Sequence, residues 1–82
     1  MNRRSRTYRT EAVVLRRREI GEADRILTLF TPERGKVRVL AKGIRKPASR
    51  KAGHLELFTR ADLLLAQGRD MDLVTQATTL DS

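Results

Sequence analysis

Apolar and polar residues alternate with a period of two in two segments of this chain, the spacing that a half-buried strand requires. Lys36-Val-Arg-Val-Leu-Ala-Lys42 is the clearest case. Val37, Val39 and Ala41 fall on one face, and Lys36, Arg38, Leu40 and Lys42 on the other. Thr10–Arg18 is equally β-rich and runs into Glu19-Ile-Gly-Glu-Ala-Asp24, a turn with acids and a glycine. Arg25–Thr31 contains Ile, Phe and two Thr with Pro32 directly after it, which favours a strand over a helix. Pro32-Glu-Arg-Gly35 reads as a short turn in which Gly35 can take positive φ. Gly43–Gly53 has no core pattern and reads as a basic loop. In Leu55–Ala66, Leu55, Leu57, Thr59, Ala61, Leu63 and Leu65 alternate, although Leu57, Ala61, Leu64 and Leu65 would also suit a helix face. A strand is favoured, because Gln67-Gly-Arg-Asp70 then turns a hairpin into the β-leaning segment Asp72–Leu80. Five strands with regularly spaced turns predict an all-β fold, a small closed or partly closed barrel over residues 8–80, preceded by a flexible basic arm at 1–7.

Composition sets the scale. Eighty-two residues make one small domain, in which burial only just offsets chain entropy. There is no cysteine, which excludes disulfides and thiolate metal sites, and one histidine, His54, which cannot hold a metal by itself. No cofactor is expected. No apolar run approaches a membrane span, and no signal-like core follows the Arg-rich start, so a reducing intracellular setting and no membrane partner are the default.

Charge changes the picture most. Lys and Arg number 18 against 10 Asp and Glu, a formal net charge of +8. The segment from Arg34 to Lys51 holds eight basic residues and no acid: Arg34, Lys36, Arg38, Lys42, Arg45, Lys46, Arg50 and Lys51. Residues 1–18 add seven arginines against one glutamate. A fold that joins the two basic blocks makes a polyanion site, and nucleic acid is the leading candidate. Fourteen of the cations are arginine, whose guanidinium grips phosphate bidentately.

Other chemistry is thin. Tyr8, Phe30 and Phe58 are the only aromatics, and Phe30 and Phe58 sit inside strand patterns where core packing is the better reading. Tyr8, beside Arg9, is then the one plausible stacking ring, and binding should be dominated by the phosphate backbone and nearly blind to sequence. Glu19, Glu22 and Asp24, between Arg18 and Arg25, read as a surface salt-bridge cluster. Ser49 and His54 have no partner acid nearby, and Gly35, Gly43 and Gly53 match no phosphate-loop spacing, so no catalytic constellation is present.

Gly21-Glu-Ala-Asp-Arg-Ile-Leu-Thr-Leu-Phe-Thr-Pro-Glu-Arg-Gly-Lys36, followed by Ala41-Lys-Gly-Ile-Arg-Lys-Pro-Ala-Ser49, strongly resembles the amino-terminal domain of the bacterial RecO recombination mediators. The likeness runs from about Tyr8 to Ala77 and takes in Thr10–Leu15 and Leu55–Phe58. It implies an OB-fold, a five-stranded Greek-key barrel, and a strand at Leu55–Ala66. It also implies binding of single- and double-stranded DNA, annealing of complementary strands, and recombinase loading in concert with RecR and single-strand-binding protein. Family members are longer, with a helical carboxy-terminal domain, so the chain is expected to be an isolated domain. The DNA contacts are expected at Lys36, Arg38 and Lys42 of the third strand, Arg45, Lys46, Arg50 and Lys51 of the loop, and Arg16 and Arg17 of the first strand. The rival readings are a docking module for RecR with auxiliary DNA contact and a small basic RNA-binding protein.

Overall fold

A computed structural model describes residues 6–44 and 55–81. They form five strands: β1 (Thr7–Ile20), β2 (Asp24–Thr31), β3 (Gly35–Ala41), β4 (Arg60–Ala66) and β5 (Asp72–Asp81). The strands close into a barrel in the order β1-β2-β3-β5-β4, the five-stranded OB-fold. β1 is long enough to serve both halves of the barrel. Thr7–Val13 pairs antiparallel with β4, and Val13–Ile20 with β2. The seam is β3 against β5, parallel and joined at only two register pairs, Val39–Asp72 and Leu40–Leu73.

The period-two pattern drives the closure. Ala12 and Val14 of β1, Leu27 and Leu29 of β2, Val39 and Ala41 of β3, Ala61, Leu63 and Leu65 of β4 and Val74 of β5 fill the interior. Two residues outside the strands complete it. Ile44, which lies in a stretch read as having no core pattern, is buried, as is Leu55. Both flank the segment 45–54, so each end of that connection is fastened by an apolar anchor.

The turns have identifiable chemistry. Thr31 is fully buried, and its hydroxyl donates to the Gly35 carbonyl (3.0 Å) and accepts from the Arg34 N–H (3.1 Å), closing the β2–β3 turn. Gly35 sits at φ 65°, the conformation a Cβ disfavours. At the β4–β5 turn Asp72 bridges two elements: one carboxylate oxygen accepts the Gly68 N–H (3.1 Å) and the other accepts the Tyr8 hydroxyl.

The strand limits differ from the sequence reading at two places. β1 begins at Thr7, inside the stretch read as an arm, and runs on to Ile20. Leu55–Thr59 does not extend β4. Instead the Thr59 N–H donates to the Glu56 carbonyl (3.2 Å) and the Phe58 N–H to the Val14 carbonyl (2.7 Å), a reverse turn with Phe58 at φ 62°. This is a type II geometry, whose third position usually takes glycine or asparagine, so strand alternation gave no hint of it.

Candidate nucleic-acid interface

Residues directly opposite one another in an antiparallel ladder share a face. Leu27 and Leu29 point into the core. With them go Arg17 and Val14 on β1, and Val39 and Val37 on β3. Ile26, Thr28 and Phe30 point outward, and with them go Arg18, Arg16 and Val13 on β1, and Leu40, Arg38 and Lys36 on β3. A β-bulge makes this arrangement. The ladder slips between Val14 and Arg16, leaving Leu15 unopposed. Without it Arg16 and Arg18 would continue the inward series of Ala12 and Val14.

The outer face of β1–β2–β3 is thus a channel with two cationic rails. Arg16 and Arg18 line one side, Lys36 and Arg38 the other, and the uncharged residues Ile26, Thr28 and Phe30 form the floor. The rails lie two strand spacings apart, about 10 Å at the backbone, and successive cations on each rail stand about 7 Å apart. Arg16, Thr28 and Arg38 form one cross-strand row. At one end the channel meets the β4–β5 turn in a largely apolar concavity of about 350 Å³ lined by Ile20, Ile26, Leu40, Met71 and Leu73, together with Arg69 and Asp70. At the other end Val13, Phe30 and Pro32 line a concavity of about 240 Å³ beside Arg60 and Glu11.

The ion pairs among the described residues all lie off this face, although Arg6, Arg34 and Arg69, also off it, have no carboxylate partner either. Four arginines meet carboxylates: Arg9–Asp62 (2.8 Å), Arg17–Glu56 (2.9 Å), Arg25–Glu19 (2.9 Å) and Arg60–Glu11 (2.8 Å). Among the described residues, Arg16, Arg18, Lys36 and Arg38 have no such partner. Asp24, the one acid on the outer side of β2, is engaged by the Gly43 N–H (2.7 Å). The expected salt-bridge cluster is therefore divided. Glu19 pairs with Arg25, whereas Asp24 ties the start of β2 to the end of β3.

Of the residues expected to touch nucleic acid, Arg16, Lys36 and Arg38 are brought together. Lys42 is exposed in the turn after β3, at the end of the same strand. Arg17 is set on the opposite side of β1, bonded to Glu56. Arg45, Lys46, Arg50 and Lys51, with Ser49 and His54, lie outside the described residues. Arg18 takes the place that the sequence reading gave to Arg17. A period-two rule would have separated Arg17 from its neighbours, but only the bulge decides which of them faces out.

The aromatics reverse their expected roles. Phe30 is 54% exposed and Phe58 73% exposed, so neither belongs to the core. For Phe30 the signal was present: it alternates with Leu27, Leu29 and Thr31, the inward series of β2. Tyr8 is the ring that packs against the core, half-buried, with its hydroxyl bound to Asp72 and the Arg34 guanidinium 4.1 Å from its ring centre. Burial, then the hydrogen bond and the charge of Asp72, push its pKa up to about 12, with Arg34 pulling the other way.

The family model described as Recombination protein O N terminal matches residues 1–82. The chain belongs to the RecO amino-terminal family. Among RecO relatives, the DNA repair protein RecO of Nocardioides sp. is 58% identical over 73 residues, 89% of this chain and 30% of that protein. The DNA repair protein RecO of Roseiflexus sp. is 55% identical over 78 residues, 95% of this chain and 27% of that protein. The DNA repair protein RecO of Heliobacterium modesticaldum is 49% identical over 77 residues, 94% of this chain and 28% of that protein. The chain thus spans less than a third of the length of these RecO proteins.

Proposed function

We propose that this RecO-type domain binds single- and double-stranded DNA without sequence preference through the outer face of β1–β2–β3, and acts in DNA repair and recombination in the bacterial cytoplasm. On this reading it is not an enzyme. It anneals complementary strands and assists recombinase loading, with RecR and single-strand-binding protein engaged by the longer proteins of which it resembles one part. The observation that carries the reading is the set of four cations, Arg16, Arg18, Lys36 and Arg38, gathered on one face with no acidic partner among the described residues. Unpaired guanidinium and ammonium groups lining a channel are what a phosphodiester backbone neutralises, with release of counterions. Holding two backbones on such a surface also removes the repulsion that opposes their meeting.

A salt titration of fluorescent single-stranded DNA binding tests it. Four phosphate contacts give a slope of log K against log salt of about −2.8, at roughly −0.7 per contact. Arg16→Ala with Arg38→Ala should flatten the slope by about 1.4, whereas Arg9→Ala, on the β1–β4 side, should leave it unchanged. A loss from Arg9→Ala half as large as that of the double variant would mean that net charge alone binds and that the channel is no site.

A second reading, docking of RecR, draws on Leu57 and Phe58, apolar residues exposed at 38% and 73% in the turn beside Glu56, on the side of β1 to which Arg17 points. It predicts that changing this turn abolishes RecR capture and leaves DNA binding intact.

A further inference from the structure

We propose that Phe30 is a base-stacking residue that gives this face its preference for unpaired over paired DNA strands. The inference rests on the DNA-binding reading above. A phenyl ring left more than half in water contributes little to the core, and the inward positions of β2 are already filled by Leu27, Leu29 and Thr31. Phe30 stands on the middle strand of the channel, directly opposite Lys36 on β3 and Val13 on β1. Directly opposed side chains are roughly 5 Å apart at Cβ, so the Lys36 ammonium reaches a phosphate whose own base lies over the ring. Val13 and Pro32 widen the ring into an apolar floor, the concavity of about 240 Å³ that the Arg60–Glu11 ion pair borders.

A nucleobase in a single strand presents a free π face to such a ring, whatever its identity. A base inside a duplex does not, because it must first leave the stack. Duplex DNA is therefore held by the phosphate rails alone, while an unpaired strand gains the ring as well. Pairing then weakens the grip of the surface on its own product, which frees the domain after annealing.

The test measures binding of the whole chain by fluorescence anisotropy at one low salt concentration, with three probes of equal length: oligothymidine, an abasic strand and a duplex. Phe30→Ala should weaken oligothymidine binding roughly 5- to 150-fold, the range for one stacked base, and leave abasic and duplex binding unchanged. Phe30→Trp should retain or strengthen oligothymidine binding. Melting of each variant, followed by circular dichroism, shows that the barrel is intact. Loss on all three probes alike would make the ring structural, and no loss on oligothymidine would remove it from the site; either overturns the inference while the rails stand. A wild-type chain that binds none of the probes overturns the DNA reading and this inference with it.

Discussion

Two residues carry conformational or electrostatic tension that a substitution can release. Phe58 holds φ 62°, where an L side chain costs on the order of 1 kcal/mol, and with 73% of it exposed it gains little burial in return. Asparagine tolerates this region without glycine's extra chain entropy. Phe58→Asn should therefore raise the melting temperature by a few degrees, as about 1 kcal/mol does in a domain of this size. A lower melting temperature would show that the ring packs in a way its exposure conceals. Tyr8 makes a second test. Its pKa rises from 10.0 to about 12 on folding, so the native state favours the protonated phenol. That contribution is complete below about pH 10 and is lost as pH rises towards 12. Because the chain has one tyrosine and no tryptophan, phenolate absorbance in the near ultraviolet reads this residue alone. The titration should be displaced upward in the folded protein and return to the ordinary value in urea. Tyr8→Phe should remove this component of the alkaline loss of stability.

At the scale of the element, β1 decides the interface. A single unopposed residue, Leu15, turns the Arg16–Arg18 run over, so that alternate arginines reach the channel and the middle one reaches Glu56. The expected consequence is a contrast between neighbours. Arg18→Ala should flatten the salt dependence of DNA binding by about 0.7, the share of one phosphate contact. Arg17→Ala should leave that slope alone and cost at most about 1 kcal/mol of stability, the usual worth of an exposed ion pair. Equal effects on binding would place both side chains on the same face and contradict the bulge. Bulges in β5 do related work. Thr75 lies at a register slip opposite Leu64 and Leu65, and its hydroxyl donates to the Leu64 carbonyl (2.9 Å), so the strand bends from β4 towards β3 without a lost partner.

For the whole molecule the segregation of charge matters more than its sum. Four acids on other faces are spent on arginines there, and the four cations of the channel have no acidic partner among the described residues. Such a domain should accelerate pairing of complementary oligonucleotides at low salt, and the effect should fade in parallel with binding as salt screens the phosphates. Lys36→Glu with Arg38→Glu should abolish it, since one rail would then repel the strand. Annealing that survives this change would exclude the β3 rail from the reaction. Stability should be unaffected within about 0.5 kcal/mol, both side chains being exposed on the outer face.

The sequence by itself determined the fold class, because five β-favouring segments with turn residues between them admit few arrangements, and the RecO-like segments named one of them. It determined the faces of β3 as well, where Val37, Val39 and Ala41 alternate with Lys36 and Arg38 without interruption. It also located the basic blocks, since charge is a property of composition. Tertiary structure decided what depends on a break in periodicity or on partners distant in the chain. The inversion at Leu15, the reverse turn at Phe58 and the burial of Ile44 are each local departures that no repeat announces. Which arginines find a carboxylate is settled by residues such as Arg17 and Glu56, brought within 2.9 Å although 39 positions apart. The chain could state that it is basic; only the closed barrel brought Arg16, Arg18, Lys36 and Arg38 onto one face.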